Sequence, residues 1–192
     1  MVDSSPVPAP TRREQLLAIA LAVLEEDGLE RLSLGAVARR AGIKTPSLYK
    51  HFESKADVEL RLIEYGFGLF ESAVREELGR LGPNMTPRLA ITAFARVYRS
   101  FGLAHPQLYR LMNGRSLPRD ALAPGAEAGA TGTYFALVPD INVARSLWAW
   151  AHGLLSLELV GRFPPGADID AAWQVLIDTA AEGLLQQPPR PS

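Results

Sequence analysis

The sequence predicts an all-α protein, and three observations point to this fold class. Apolar residues recur at helical spacing through most of the chain, as they do between Leu16 and Leu24. Capping-box sequences, which satisfy free backbone N–H groups at a helix start, lie at Thr11–Glu14 and Ser54–Asp57. The pairs Asp27-Gly28 and Asn113-Gly114 follow helical periodicity and do not separate alternating runs, so they indicate helix ends and not hairpins.

The predicted helices follow one another with short connections. Ser33 is the expected N-cap of the second helix, and Gly42 ends it. Thr45 is the expected cap of a short third helix, with Pro46 at its first helical position, where the missing N–H costs nothing. Residues 113–133 are rich in Gly, Pro and Ala and predict a loop or a weak helix. The predicted spans, caps included, are about 11–28, 33–42, 45–52, 54–81, 87–103, 105–112, 142–161 and 168–186.

The chain divides into two predicted domains between two predicted disordered tails. The tails are residues 1–10 and 187–192, whose prolines fix φ and remove backbone donors. A first domain is expected at residues 11–55 and a larger one at residues 56–186.

Composition excludes several classes of protein. The 192 residues are 47% hydrophobic, which is too high for a disordered chain, and the formal net charge is -1. The absence of cysteine excludes disulfides, thiolate metal sites and a cysteine nucleophile, and the three histidines lack zinc-site spacing. We therefore expect no cofactor and no metal. No signal peptide or membrane span is evident, so a cytoplasmic protein without a membrane partner is expected.

Charge is distributed unevenly along the chain. The segment from Arg31 to Lys55 has six basic residues and one acidic residue, a net charge of +5 in a chain that nets -1. Here the second and third predicted helices meet through a Gly-containing turn of about four residues, which is helix-turn-helix spacing. The spacing alone also fits any small three-helix bundle, and the charge alone fits a solvated surface. The two together favour a face that binds DNA phosphates.

The run from Ala41 to Phe52, followed by Ser54, Lys55 and Val58, resembles the N-terminal domain of TetR-type transcriptional regulators. The Leu-Tyr-x-His-Phe sequence and the lysine that opens the fourth helix carry the resemblance, which extends over about residues 12–60. It implies a homodimeric repressor with one helix-turn-helix per subunit and a helical effector domain. The stretches 101–112 and 148–153 resemble one subgroup of TetR-type C-terminal domains, which has a Trp, a His and a Gly in the penultimate helix.

The resemblance implies specific DNA contacts. Thr45, Pro46 and Ser47 match positions that meet base edges, while Tyr49, His51 and Lys55 match positions that bind phosphates. The full set of expected DNA-binding residues is Ser33, Lys44, Thr45, Pro46, Ser47, Tyr49, Lys50, His51 and Lys55. The expected partner is double-stranded DNA with a palindromic operator.

A ligand pocket in the second domain would be lined by aromatic and apolar side chains. Such residues at helical spacing also fit an ordinary core, and His152 also fits a hydrogen-bonded core histidine. The candidate residues are Phe67, Phe70, Phe94, Tyr98, Phe101, Tyr109, Met112, Trp148 and His152.

The last two helices are candidates for a dimer interface. The stretch 143–160 is apolar almost all round, so it must be buried on several sides. Burial inside a monomer explains this equally well from the residues alone, and the resemblance favours a four-helix interface between two copies. The candidates are Leu147, Leu154, Leu155, Ala172, Val175, Leu176, Thr179 and Gly183.

The sequence thus predicts a ligand-responsive repressor that a small-molecule effector releases from DNA. The competing classes are a helical enzyme or carrier, and a protein-interaction module that uses the C-terminal helices. We find no Ser-His-Asp arrangement, phosphate-binding Gly-rich loop or paired carboxylates, so no enzyme is expected.

Overall fold

A computed structural model describes residues 9–82, 85–129, 132, 138 and 140–185. No strand occurs among these residues, and the all-α prediction is confirmed. The predicted tails lie almost wholly outside them, as does part of the predicted loop at 113–133. The helices are α1 (Arg12–Asp27), α2 (Leu34–Arg40), α3 (Thr45–Leu48), α4 (Lys55–Leu81), α5 (Pro87–Ala104), α6 (Pro106–Asn113), α7 (Ile141–Leu159) and α8 (Ile169–Leu185), with a short 3₁₀ helix at Arg119–Ala121.

Three of the predicted caps, Thr11, Ser33 and Ser54, begin their helices. Glu14 N–H donates to Thr11 Oγ1 at 3.3 Å, and Thr11 N–H donates back to Glu14 Oε2 at 2.6 Å. Ser33 caps α2 by accepting from the amide of Ala36 at 3.1 Å, and Ser54 caps α4 in the same way. These bonds satisfy N–H groups that a helix start leaves free.

The third helix is shorter than predicted. It spans Thr45–Leu48 instead of 45–52, and its N-cap is Lys44 and not Thr45, so Pro46 is the second helical residue. After Leu48 the amides of His51 and Phe52 both donate to the Leu48 carbonyl, at 2.9 and 3.1 Å. The chain therefore closes into a turn, since so short a helix has little stability of its own.

Two hydrophobic cores share helix α4. The first joins α1, α2, α3 and the start of α4 with Leu108 and Leu111 of α6. The second joins the rest of α4 with α5, α7 and α8. The domain boundary predicted at residue 55 falls at the first residue of α4, and the first core continues past it to Ile63.

A partly buried ionic cluster ties α5, α7 and α8 together. The Arg99 guanidinium donates to both carboxylate oxygens of Glu158, at 2.7–3.2 Å, and to Asp170 at 2.5 Å. The indole N–H of Trp173 also donates to Glu158, at 3.2 Å. No helix in the described part of the chain is both long and apolar enough to cross a bilayer.

Candidate DNA-binding surface and effector cavity

The α2–α3 turn is held tightly. Gly42 has φ +66°, a conformation that favours glycine, and the amide of Ile43 donates to the Ala38 carbonyl at 3.0 Å. Leu48 and Phe52 anchor the following segment because both are buried in the first core. The turn thus fixes the orientation of α3 against α2.

The polar side chains of this segment face outward. Tyr49 is 57% exposed. Lys44, Pro46, Ser47 and Lys50 are exposed, and Thr45 and His51 are half-buried. The structure therefore brings seven of the nine predicted DNA-binding residues onto one continuous surface segment, which offers hydroxyl, imidazole and ammonium groups to a ligand.

The other two predicted residues, Ser33 and Lys55, have structural partners. Ser33 Oγ accepts from the amide of Ala36, which leaves its hydroxyl proton available. Lys55 Nζ donates to the Leu29 carbonyl at 3.0 Å and lies 3.7 Å from Glu59 Oε1. Sequence reasoning missed these contacts of Lys55, which hold the start of α4 against the α1–α2 connection.

Several of the basic residues in this region remain available to phosphates. Arg40 is paired with Glu26 of α1. Within the described ranges, Arg31, Arg39, Lys44 and Lys50 have no ion-pair partner, and all four are exposed. Such unpaired cations are suited to neutralising DNA phosphates.

A cavity of about 540 Å³ lies between α4, α5, α6 and α7. Its walls are mainly aromatic, with Phe70 in edge contact with Phe94 and Phe101 at ring-centroid distances of 5.5 Å. Eight of the nine predicted pocket residues line it: Phe67, Phe70, Phe94, Tyr98, Phe101, Tyr109, Met112 and Trp148.

The ninth, His152, lies behind the wall in a chain of hydrogen bonds. The hydroxyls of Tyr98 and Tyr109 are 2.9 Å apart, and the Tyr109 hydroxyl is 2.6 Å from His152 Nδ1. His152 Nε2 lies 3.4 Å from the Ser156 hydroxyl. Burial raises the pKa of Tyr109 and lowers the pKa of His152, so both are favoured in their neutral forms.

Charged side chains, which sequence reasoning missed, also line the cavity. They are Arg115, Arg119, Arg145 and Glu127, and the polar residues Asn113 and Ser116 join them. Arg115 donates to Glu59 at 3.0 Å, and Arg119 donates to both oxygens of Glu127 at 2.8 Å. Because these residues come from separate loops and helices, no local sequence pattern brings them together.

Comparison with known families agrees with both halves of this architecture. Residues 16–62 match the family described as bacterial regulatory proteins, tetR family. Residues 91–180 match the family described as tetracyclin repressor-like, C-terminal domain, so the two matches together span well over half of the chain.

The chain belongs to the tetR family of transcriptional regulators. It is 28% identical over 196 residues to an uncharacterised HTH-type transcriptional regulator of Mycobacterium tuberculosis, covering 95% of this chain and 86% of that protein. A Rhodococcus sp. RHA1 protein of unknown function is similar in structure, with a TM-score of 0.78, 28% identity and coverage of 95% of this chain and 100% of that one. A TetR-like transcriptional regulator from Rhodococcus sp. RHA1 has a TM-score of 0.67 at 19% identity, covering 94% of this chain and 100% of that one.

In this tetR-family chain, α6 touches both functional regions. Tyr109 and Met112 of α6 line the cavity. At its other end, the amides of Gln107 and Leu108 donate to the Glu25 carboxylate of α1, at 3.1 and 2.9 Å. Sequence reasoning missed this contact. The signal available in the sequence was that His105, which precedes the helix-starting Pro106, is not one of the preferred N-cap residue types.

The residues predicted for a dimer interface divide between the core and the surface. Leu155 and Leu176 are buried in the second core of this single chain, and Leu147 and Leu154 pack against that core. Both buried leucines therefore offer no surface to a second copy. Ala172 is half-buried, Val175 and Thr179 are exposed, and Gly183 lies in the part of α8 whose side-chain environment is not described.

Large apolar side chains on and next to these helices are exposed. Trp150 and Leu157 of α7 are 38% and 44% exposed, Val160 just after α7 is 56% exposed, and Val175 of α8 is 55% exposed. Val175 is among the residues that the sequence predicts for the interface, whereas Trp150, Leu157 and Val160 were missed.

Proposed function

We propose that this tetR-family protein is a homodimeric repressor that binds a palindromic operator in the cytoplasm, and that a small molecule in the aromatic cavity releases it. Its role is regulatory and not catalytic. The observation that carries the proposal is the contact of α6 with both the cavity and α1, because it gives a ligand a direct physical route to the DNA-binding region.

In the DNA complex, the segment 44–51 enters the major groove. Thr45, Pro46 and Ser47 meet base edges, and Tyr49, Lys50 and His51 bind phosphates together with Ser33, Lys44 and Lys55. The unpaired arginines of α2 and of the preceding loop add non-specific attraction. Lys55 contributes through the N–H that its two protein partners leave free.

Dimerisation joins α7 and α8 of one copy to the same helices of the other. Trp150, Leu157, Val160 and Val175 supply apolar area that a two-fold partner would cover. Such a pair must hold the 44–51 segments of its two copies ~34–36 Å apart to reach successive major grooves on one side of the duplex.

Release follows from differential binding. A ligand that fits one arrangement of α4, α5, α6 and α7 better than another shifts the population toward that arrangement. Movement of α6 would reach α1 through Glu25. Movement of α4 would reach the segment 44–51, because α4 begins just after it at Lys55 and continues to the cavity residues Phe67 and Phe70.

DNA binding is tested by fluorescence anisotropy on a palindromic fragment from upstream of the protein's own gene, as a function of salt. For a dimer, Lys50→Ala should reduce the log–log salt slope by about 2, at ~0.9 per phosphate contact. Arg162→Ala is a control because Arg162 is exposed between α7 and α8, far along the chain from the basic segment. An unchanged slope for Lys50→Ala would remove Lys50 from the phosphate contacts, and failure of such fragments to bind would refute the repressor proposal.

Base readout is tested on variants of that fragment. Ser47→Ala should change the preferred base at one position of each half-site, while the affinity for other variants stays in the same order. A uniform loss across all variants would assign Ser47 to the backbone.

The dimer is tested by sedimentation. Val175→Glu should dissociate it, since a charge would replace apolar area inside the interface. Leu103→Glu is the matched control, because Leu103 is 45% exposed but lies on α5. A dimer that persists in Val175→Glu and is lost in Leu103→Glu would contradict the proposed interface.

A further inference from the structure

We infer that the cavity takes an amphipathic organic anion, with an apolar body among the aromatic side chains and an anionic head at Arg145. This inference rests on the proposed effector role of the cavity. The class of ligand follows from the charge and the exposure of the residues that line the cavity.

The apolar body is assigned by the cavity walls. Phe70, Phe94, Tyr98 and Tyr109 line it and are each at least 90% buried, so a ligand among them leaves water almost completely. Among the residues that line it, the buried ones carry no charge; the polar groups there are the hydroxyls of Tyr98 and Tyr109, which are hydrogen-bonded to one another. A charged group placed at this end would lose its hydration without gaining a partner charge.

The head group is assigned by α7. Ile141, Arg145 and Trp148 all line the cavity, and their spacing of four and three residues places them on one face of the helix. Ile141 and Trp148 are 43% and 46% exposed, and Arg145 is exposed too, so this stripe forms the open side of the cavity. Arg145 is therefore positioned to bind a head group while the body of the ligand extends inward.

Arg145 differs from the other two arginines of the cavity. Arg115 and Arg119 are each neutralised by a carboxylate, from Glu59 and Glu127. For Arg145, no carboxylate of the described residues lies within ion-pair distance. A guanidinium that has no carboxylate partner in the described part of the chain, beside an apolar cavity, fits the planar two-oxygen geometry of a carboxylate.

The cavity disfavours a cationic ligand. Of the three arginines that line it, only Arg145 lacks a carboxylate partner among the described residues, so a cationic head at Arg145 would meet an uncompensated positive charge. The aromatic rings of the cavity would attract a cationic ligand, because the face of an aromatic ring is electron-rich. When the cationic head lies beside the exposed Arg145 and not among the buried rings, its repulsion by the Arg145 guanidinium outweighs its attraction to the rings.

The test compares three probes of equal chain length by isothermal titration calorimetry, on the purified full-length protein without DNA. The probes are decanoate, decanol and decyltrimethylammonium, each below its micellar concentration. Decanoate should bind at least about tenfold more tightly than decanol, because a charge-assisted hydrogen bond adds to the same apolar burial. The ammonium compound should bind most weakly, and each methylene added to the alkanoate should tighten binding about fourfold until the cavity is full.

Two variants locate the head group. Arg145→Met keeps an apolar stem but removes the charge, so it should abolish the advantage of decanoate over decanol and leave decanol binding unchanged. Arg162→Met should retain the advantage, since Arg162 does not line the cavity. Equal binding of decanoate and decanol to the unmodified protein would overturn the inference, as would tighter binding of the ammonium compound.

The DNA assay separates this inference from the proposed function. Operator binding together with failure of all three probes would overturn the ligand class and leave the regulator proposal standing. Selective decanoate binding without binding to any operator fragment would support the ligand class and refute the repressor proposal.

Discussion

The contact between Glu25 and α6 predicts a large effect from a single substitution. Helix α6 begins at Pro106 without a side-chain cap from its own neighbourhood. The carboxylate of Glu25 accepts from the second and third residues of the helix, at 3.1 and 2.9 Å, and so performs the capping role from α1. Replacing Glu25 by Ala removes both bonds at once.

The expected cost follows from the geometry. Hydrogen bonds to a charged group contribute about 1.5–3 kcal/mol each, and a negative charge at a helix N-terminus adds a few tenths. Both bonds are only partly buried, so water can replace part of each one in the variant. We therefore expect Glu25→Ala to lower the free energy of unfolding by about 2–3 kcal/mol, and Glu25→Gln, which keeps one acceptor oxygen, by about 1 kcal/mol.

The measurement is urea denaturation followed by circular dichroism, with thermal unfolding as a second reading. For a chain of this size, the loss corresponds to a decrease in Tm of about 5–10 °C. Glu26, the adjacent residue, supplies the control, because its carboxylate also forms a pair, with Arg40, but on the exposed surface. Glu26→Ala should cost much less than Glu25→Ala, because solvent screens an exposed ion pair.

If Glu25→Ala costs no more than Glu26→Ala, the carboxylate does not cap α6 in solution. The α1–α6 contact would then be too weak to couple the cavity to the DNA-binding region.

Three further predictions concern the second core and helix α4. Glu158→Gln should lower the free energy of unfolding by about 2 kcal/mol because it weakens a partly buried charge cluster, whereas Glu76→Gln, in an exposed pair, should cost under about 0.5 kcal/mol; equal costs would contradict this. Gly68→Ala should stabilise the protein by about 0.5–1 kcal/mol, since nothing lies within 4 Å of the added methyl group, but Gly66→Ala should gain less or destabilise it, since its methyl group would lie 2.5 Å from a methionine sulfur of α6. Burial lowers the pKa of His152, so the unfolded chain binds the proton more tightly: stability should fall as pH decreases through about 6.5, and His152→Asn should flatten that dependence in denaturation curves at pH 7.5 and 5.5.

Local signals in the sequence predicted several helix starts and most of the side chains that line the cavity. The hydroxyl-to-carboxylate spacing at Thr11–Glu14 depends only on residues three apart, and the structure has both hydrogen bonds. The aromatic residues of the cavity could be chosen because large apolar side chains on α4 to α7 are usually buried in the interior that these helices share. Whether that interior holds a ligand stays a prediction.

Contacts between distant segments were beyond the reach of sequence patterns. Lys55 follows a capping residue and was expected to face phosphates, but the Leu29 carbonyl that it binds lies 26 residues away in the chain. The sequence of α7 is apolar almost all round, so its pattern could not separate Leu155, in the core, from Leu157, on the surface. Arg145 carried no signal, because its importance depends on which acidic residues lie near it in space.

The positions of the three tryptophans make the protein its own optical reporter. Trp148 lies at the open side of the cavity, Trp150 is on the exposed apolar face of α7, and Trp173 is buried beside Glu158. Their emission maxima should therefore differ, with the buried indole bluest. Filling of the cavity would change the emission of Trp148, covering of the α7 face would change that of Trp150, and loss of the core would change that of Trp173. Single-tryptophan variants would thus separate the three events without any added dye.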